Sequence, residues 1–186
     1  MIDIRRLLET VSYFFADRKA LSKSLNELER LSSHDSLTDA KSWHALFEKM
    51  AELEKNSGIA GLVFADVNNL KFINDNRGHD AGDETIHMAA NLLFRFCGKD
   101  NVYRNGGDEF VALLPDVTLG TFDTVRESIT RAIGAIEKAK LSVGFEWCHD
   151  TRNLRDSMKN ADKNMYANKA KYYTIHDRRG HNYTDS

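Results

Sequence analysis

The chain has 186 residues, 41% hydrophobic and 29% charged, which suits one soluble domain with a sizeable core plus an appendage. A formal net charge of -2 speaks against a nucleic-acid-binding surface. Two cysteines without paired spacing argue against a disulfide frame or a zinc knuckle. No apolar run approaches ~20 residues and no signal peptide is visible, so the expectation is a cytoplasmic protein off the membrane.

Residues 1–34 contain neither Gly nor Pro. Ile4, Leu7, Val11, Phe14, Arg18, Leu21, Leu25 and Leu28 fall at alternating spacings of three and four, a heptad seam with one polar member. The seam predicts a coiled-coil helix that joins two chains; a helix packed on its own domain is the alternative. "SSHDSLTDA" breaks this helix, because Ser, Asp and Thr side chains compete for the backbone. Ser42 is placed to cap the next helix, with Trp43, Leu46, Phe47 and Met50 on its buried side. "GIAGLVFADV" is a near-continuous apolar run of strand length and predicts a strand buried on both faces, stopping at Asp66.

From Asp80 the pattern is helical, with Ile86, Ala89, Ala90, Leu93, Phe94 and Cys97 on one face. "VYRNGGDEFVALLP" reads as two strands joined by a tight Asn-Gly or Gly-Gly turn. Leu119, Phe122, Val125, Ile129, Ala132, Ile133 and Ile136 form another amphipathic helix. "LSVGFEW" alternates strictly and is a strand with Leu141, Val143, Phe145 and Trp147 on one side. A last helix carries Leu154, Met158, Ala161 and Met165, and the tail from Tyr173 is polar, with at most a short edge strand. The order strand, helix, hairpin, helix, strand, helix is that of a ferredoxin-like βαββαβ fold. The class is α+β, with an antiparallel-rich sheet covered on one face by helices. The division expected is an N-terminal helix over 1–34 and one domain over 35–186.

In that topology the first strand and the hairpin are sheet neighbours, so Asp66 and Asp108 converge at one edge. Acids gathered there repel each other and call for a cation. Oxygen ligands select Mg²⁺ or Mn²⁺. Taken alone, Asp108 and Glu109 read equally well as solvated turn residues. "DVNNLKF" fails as a calcium loop because Lys71 stands where glycine is required. Neither HExxH nor GxxxxGK[ST] occurs. In "NNLKFINDNRGHDAGDE" a turn at Asn68 to Leu70 would aim backbone N–H groups at phosphate, with Lys71 adding charge. Asn74 and Asp83 can accept from the N1–H and N2–H₂ edge of guanine. A helix cap and a helix N-terminal acid are the plainer readings of those two.

"GGDEF", Gly106 to Phe110, is the name motif of the GGDEF family of diguanylate cyclases, and the chain resembles that family well beyond five letters. "DVNNLKFINDNRGHDAGDE" is similar to its metal, phosphate and guanine segment and "DSLTD" to its opening motif. "LSVG" is similar to its Ser-x-Gly strand and "ADKNMYANK" to its last helix; the likeness spans about Asp35 to Lys171. The resemblance implies a palm-like domain that condenses two GTP into cyclic di-GMP, one GTP per domain, as a homodimer through the N-terminal helix.

It further implies Asp66, Asp108 and the Val67 carbonyl as metal ligands, and Lys71 and Lys169 against the β- and γ-phosphates. Gly106 and Gly107 would let the α-phosphate and ribose approach, and Asn74 and Asp83 would read guanine. Glu109 is similar to the second acid of the family, with metal holding and deprotonation both open. The sequence departs from the pattern in three places. Cys97 stands in place of the arginine of the family's inhibitory product site, where only Asp100 is kept. Ser42-Trp43 replaces an Asn-Arg pair. Tyr173 replaces an arginine on the triphosphate. A degenerate domain that binds GTP without turnover is therefore the alternative function.

Overall fold

The computed structural model describes residues 33–135 and 141–177. The predicted heptad seam, Ile4 to Leu28, lies outside them. Strand β1 (Lys41–Ser42) leads into α1 (Trp43–Leu53), and β2 (Ala60–Val67) into α2 (Leu70–Arg77) and α3 (His79–Cys97). Then come β3 (Val102–Arg104), β4 (Glu109–Pro115), α4 (Leu119–Ala135), β5 (Leu141–Cys148) and α5 (Leu154–Asp177).

The five strands lie in the order β1-β3-β4-β2-β5. Without β1, which runs parallel beside β3, this is the ferredoxin-like arrangement, and its remaining pairs are antiparallel. Every residue of β2 is buried, as its unbroken apolar run requires of a strand covered on both sides. Val63, Ala65 and Val67 point to a core shared with Ile86, Ala89, Ala90 and Leu93 of α3 and Phe122 and Ile129 of α4. Leu62 and Phe64 point the other way, to Leu46 and Met50 of α1 and Leu154, Ala161 and Met165 of α5.

Helices therefore cover both faces, which corrects the one-face expectation. The two helices of the ferredoxin-like core occupy one face, and α1 and α5, added before and after that core, occupy the other.

Other differences are local. Phe47 is 43% exposed and stands edge-on to Trp43 at 5.2 Å between ring centres, on the outer side of α1. Leu70–Arg77 is a helix where only a turn is legible; it buries no residue, so no apolar stripe announces it. The last helix runs through Tyr173 to Asp177 and replaces the expected tail there. The hairpin loop spans four residues, Asn105 to Asp108, closed by the Asn105 N–H donating to the Glu109 carbonyl at 3.0 Å.

Two details seat α5. Gly144 of β5 has no side chain, and a Cβ there would lie 2.0 Å from the Ala161 carbonyl oxygen and 2.2 Å from the Met165 nitrogen. Helix and strand thus touch backbone to backbone. Along the open edge of β5, Asn164 and Asn168 donate to the Phe145 and Val143 carbonyls at 3.0 and 2.6 Å. These bonds satisfy edge groups that no further strand takes.

Candidate active site

Asp66 lies in register opposite Glu109 on β4 and Ser142 on β5, so three polar side chains share one face at one end of the sheet. Asp108 follows directly, because its carbonyl accepts the Val67 N–H at 3.0 Å and extends the ladder by one rung. Like charges facing each other across a ladder are destabilising. Asp66 is 3% exposed, and its carboxyl is held above the usual range by burial, then by the charges of Asp108 and Glu109.

A cation from α5 answers this. Lys169 Nζ lies 2.7 Å from both Asp66 oxygens, donating to Oδ2 and paired as an ion with Oδ1. Burial pulls the Lys169 ammonium down, but the bond to Asp66 and the nearby charge of Asp108 outweigh it, and its pKa ends above the ordinary lysine value. Lys169 thus sits on Asp66 in this structure. Glu109, on the same face, accepts from Asn105 Nδ2 at 2.8 Å.

The glycine turn is open. Gly106 and Gly107 have φ of +86° and +57°, in the left-handed region that favours glycine, and nothing lies within 4 Å of where a Cβ would stand. Under this turn lies a contact that no local pattern announces. Arg104, 8% exposed, donates through Nε and Nη2 to the Gly107 carbonyl at 3.2 and 2.6 Å and through Nη1 to Asp35 Oδ1 at 2.8 Å. The same Asp35 oxygen accepts from the Thr38 N–H and hydroxyl at 2.8 and 2.7 Å. "DSLTD" is therefore a turn clamped to the glycine loop through one arginine.

The segment after β2 forms the third wall. Asn68 is fully buried, and its Oδ1 accepts from the Ser142 hydroxyl at 2.8 Å. Asn69, at φ +59°, opens α2 and makes no side-chain cap to it. Lys71 and Asp83 are exposed and Asn74 is half-buried. Asn74 Oδ1 lies within van der Waals reach of Gly82, where a Cβ would fall only 1.8 Å away, and it has no hydrogen-bond partner. Gly82 thus makes room for the Asn74 amide one residue from Asp83.

Elsewhere, Cys97 is 4% exposed and burial pushes its thiol up to about 12, so it packs in the core and offers nothing to solvent. Asp100 faces Lys41 at 4.0 Å, and Lys99 pairs with Asp39. No group of three His, Cys, Asp or Glu side chains among the described residues converges as a ready metal cluster. The donor set nonetheless fits a divalent cation: the buried Asp66 carboxylate, which already holds the Lys169 ammonium, lies near a second acid at an open turn.

The family model described as "Diguanylate cyclase, GGDEF domain" matches residues 32–174. The probable diguanylate cyclase DgcE of Escherichia coli is 30% identical over 79% of this chain and 15% of its own length. The diguanylate cyclase DgcP of Pseudomonas aeruginosa is 32% identical over 71% of this chain and 20% of its own length. The chain thus spans a fifth or less of these two relatives. Among solved structures, the coiled coil and GGDEF domain of DgcB from Caulobacter crescentus, in complex with c-di-GMP, superposes with a TM-score of 0.74. That match has 22% identity and covers 88% of this chain and 94% of that one, a likeness of fold. No described helix is long and apolar enough to cross a membrane.

Proposed function

The chain belongs to the GGDEF diguanylate cyclase domain family, and from this we propose that it condenses two GTP into cyclic di-GMP with release of two pyrophosphates. The observation that carries the reading is the gathering of Asp66, Asp108 and Glu109 at one end of the sheet, beneath an open glycine turn. Asp66, Asp108 and the Val67 carbonyl would hold Mg²⁺ or Mn²⁺. Such an ion would neutralise phosphate charge and ease deprotonation of the attacking 3′-hydroxyl.

The residues of the chain do the rest. Gly106 and Gly107 admit the α-phosphate and ribose. Lys71 supplies charge to the outer phosphates, and so does Lys169 once it leaves Asp66. Glu109 is the group placed to take a proton or to join the metal shell. Asn74 and Asp83 accept from guanine, an edge that adenine does not offer. That assignment yields an expected result: Gly82→Ala should drive the Asn74 amide from its seat and weaken GTP binding about fivefold, the worth of one hydrogen bond near 1 kcal/mol. The helix itself should tolerate the change, since alanine is the better helix former. Unchanged affinity by calorimetry in the folded variant would remove Asn74 from the guanine site.

Each domain holds one GTP in this reading, so two must face each other. The heptad seam of residues 1–34 is proposed to hold them together at high effective concentration. Pyrophosphate release from GTP tests both parts when measured for the full chain and for one lacking residues 1–30. The full chain should turn over. The shortened one should be much slower and should gain rate with protein concentration. Equal rates at every concentration would remove the seam. A second reading, a domain that binds GTP without turnover, is favoured by one observation: the side chain beyond Lys169 on α5 is the neutral Tyr173. Bound GTP with no pyrophosphate from either chain would select it.

A further inference from the structure

Helix α5 reaches the loop after β2 with more than Lys169. One turn further on, the Tyr173 hydroxyl accepts the Asn69 backbone N–H at 3.4 Å. The Tyr172 hydroxyl accepts from Asn69 Nδ2 at 3.5 Å. The two rings meet edge to face at 5.4 Å. Asn69 opens α2 in the left-handed conformation, and its N–H belongs to the Asn68 to Leu70 turn, whose backbone donors are expected to aim at phosphate.

We infer that Tyr172 and Tyr173 form a clasp over this loop in the empty domain, and that GTP enters by displacing the Tyr173 hydroxyl from the Asn69 N–H. The inference rests on the GTP reading and deepens it, for it makes Tyr173 a residue that sets substrate affinity. One N–H donates to one acceptor well, so a phenol oxygen and a phosphate oxygen compete for it. The contact is built to yield. A 3.4 Å separation is long for a hydrogen bond, and Tyr173 is 38% exposed, so its ring leaves little packing behind when it swings away.

A second observation points to a ligand at the same place. The buried side-chain atom Asn68 Nδ2 has no hydrogen-bond partner, and Asn68, 0% exposed, directly precedes Asn69. Buried polar atoms without partners are rare in finished sites. Here such an atom belongs to the residue just before the lightly held Asn69 N–H.

Tyr173→Phe deletes the hydroxyl and keeps the ring. Two readouts are needed: the Asn69 amide resonance, and calorimetric binding of the α,β-methylene analogue of GTP with Mg²⁺. In the empty protein the variant should move the Asn69 resonance. It should bind the analogue about threefold more tightly, the worth of one weak neutral hydrogen bond no longer displaced. In the wild type the analogue should itself move the Asn69 resonance. An unmoved Asn69 amide in the variant, with the analogue still bound, would overturn the clasp and leave the GTP reading standing. Unchanged or weaker affinity in the variant would overturn the displacement. Absence of analogue binding to both proteins would overturn the GTP reading, and the displacement with it.

Discussion

Asp108→Ala is expected to lower product formation by at least about a hundredfold, the size of loss seen when one preorganised charge is removed from a reacting centre. The fold should not suffer. What Asp108 gives the sheet is its backbone carbonyl, which accepts from the Val67 N–H at 3.0 Å, and alanine keeps that carbonyl. The positive-φ positions of the turn are Gly106 and Gly107, not Asp108, so no strain follows from a changed side chain. The carboxylate also pushes against Asp66, whose own carboxyl is held up by burial and by its acidic neighbours. Removing one of these charges relieves repulsion, so the melting temperature should stay level or rise slightly. Thermal unfolding and pyrophosphate release, run on the same preparation, check the pair of outcomes. Full activity in Asp108→Ala would remove the carboxylate cluster as the reacting centre.

Asp35→Ala should do the reverse, with its main effect on stability. One Asp35 oxygen accepts from Thr38 twice and from Arg104, and the side chains of Arg104 and Asp35 are 7% and 20% exposed. Breaking one side of a buried pair costs about 3 kcal/mol, because the surviving charge stays buried. Arg104 keeps its two bonds to the Gly107 carbonyl, which holds the loss at that lower end. In a domain of this size the melting temperature should fall by roughly 6–12 °C.

The effect depends on pH with a definite sign. Burial raises the Asp35 carboxyl, but Arg104 and Thr38 together outweigh it and lower its pKa below 3.8. The stability it contributes is therefore fully present above that value and fades as pH falls through the lower folded value. Wild type and variant should converge in strong acid and diverge at neutral pH. A difference below about 2 °C at pH 7 would mean that the arginine is satisfied without Asp35.

How much of this could be read in advance follows from what each residue does locally. The strand ending at Asp66, the helix His79–Cys97 and the strand from Leu141 announce themselves by apolar runs and periodicity, because their burial is laid down at regular spacing. The approach of Asp66 to Asp108 follows from strand order alone, and the structure brings both to one sheet end, with Lys169 on Asp66. The helix Leu70–Arg77 is silent because it buries nothing. The second covered face is silent because α1 and α5 lie outside the ferredoxin-like core.

Contacts between residues distant in the chain leave no local trace. Arg104 reaches Asp35 across 69 positions, Ser142 reaches Asn68 across 74, and Tyr173 reaches Asn69 across 104. Each is a side-chain choice at a single position, invisible to any periodic pattern. The same is true of Gly82 and Gly144, whose missing Cβ atoms matter only because Asn74 and α5 stand where those atoms would be.

The central claim is that this domain makes a new phosphodiester bond between two guanine nucleotides. The most direct measurement is incubation of the full chain with GTP and Mg²⁺, and in parallel with ATP, followed by mass identification of every nucleotide present. The account predicts cyclic di-GMP from GTP, with its linear dinucleotide precursor at early times, and ATP left intact. Unconverted GTP in the presence of protein shown by calorimetry to bind it, or equal conversion of ATP, would contradict the account.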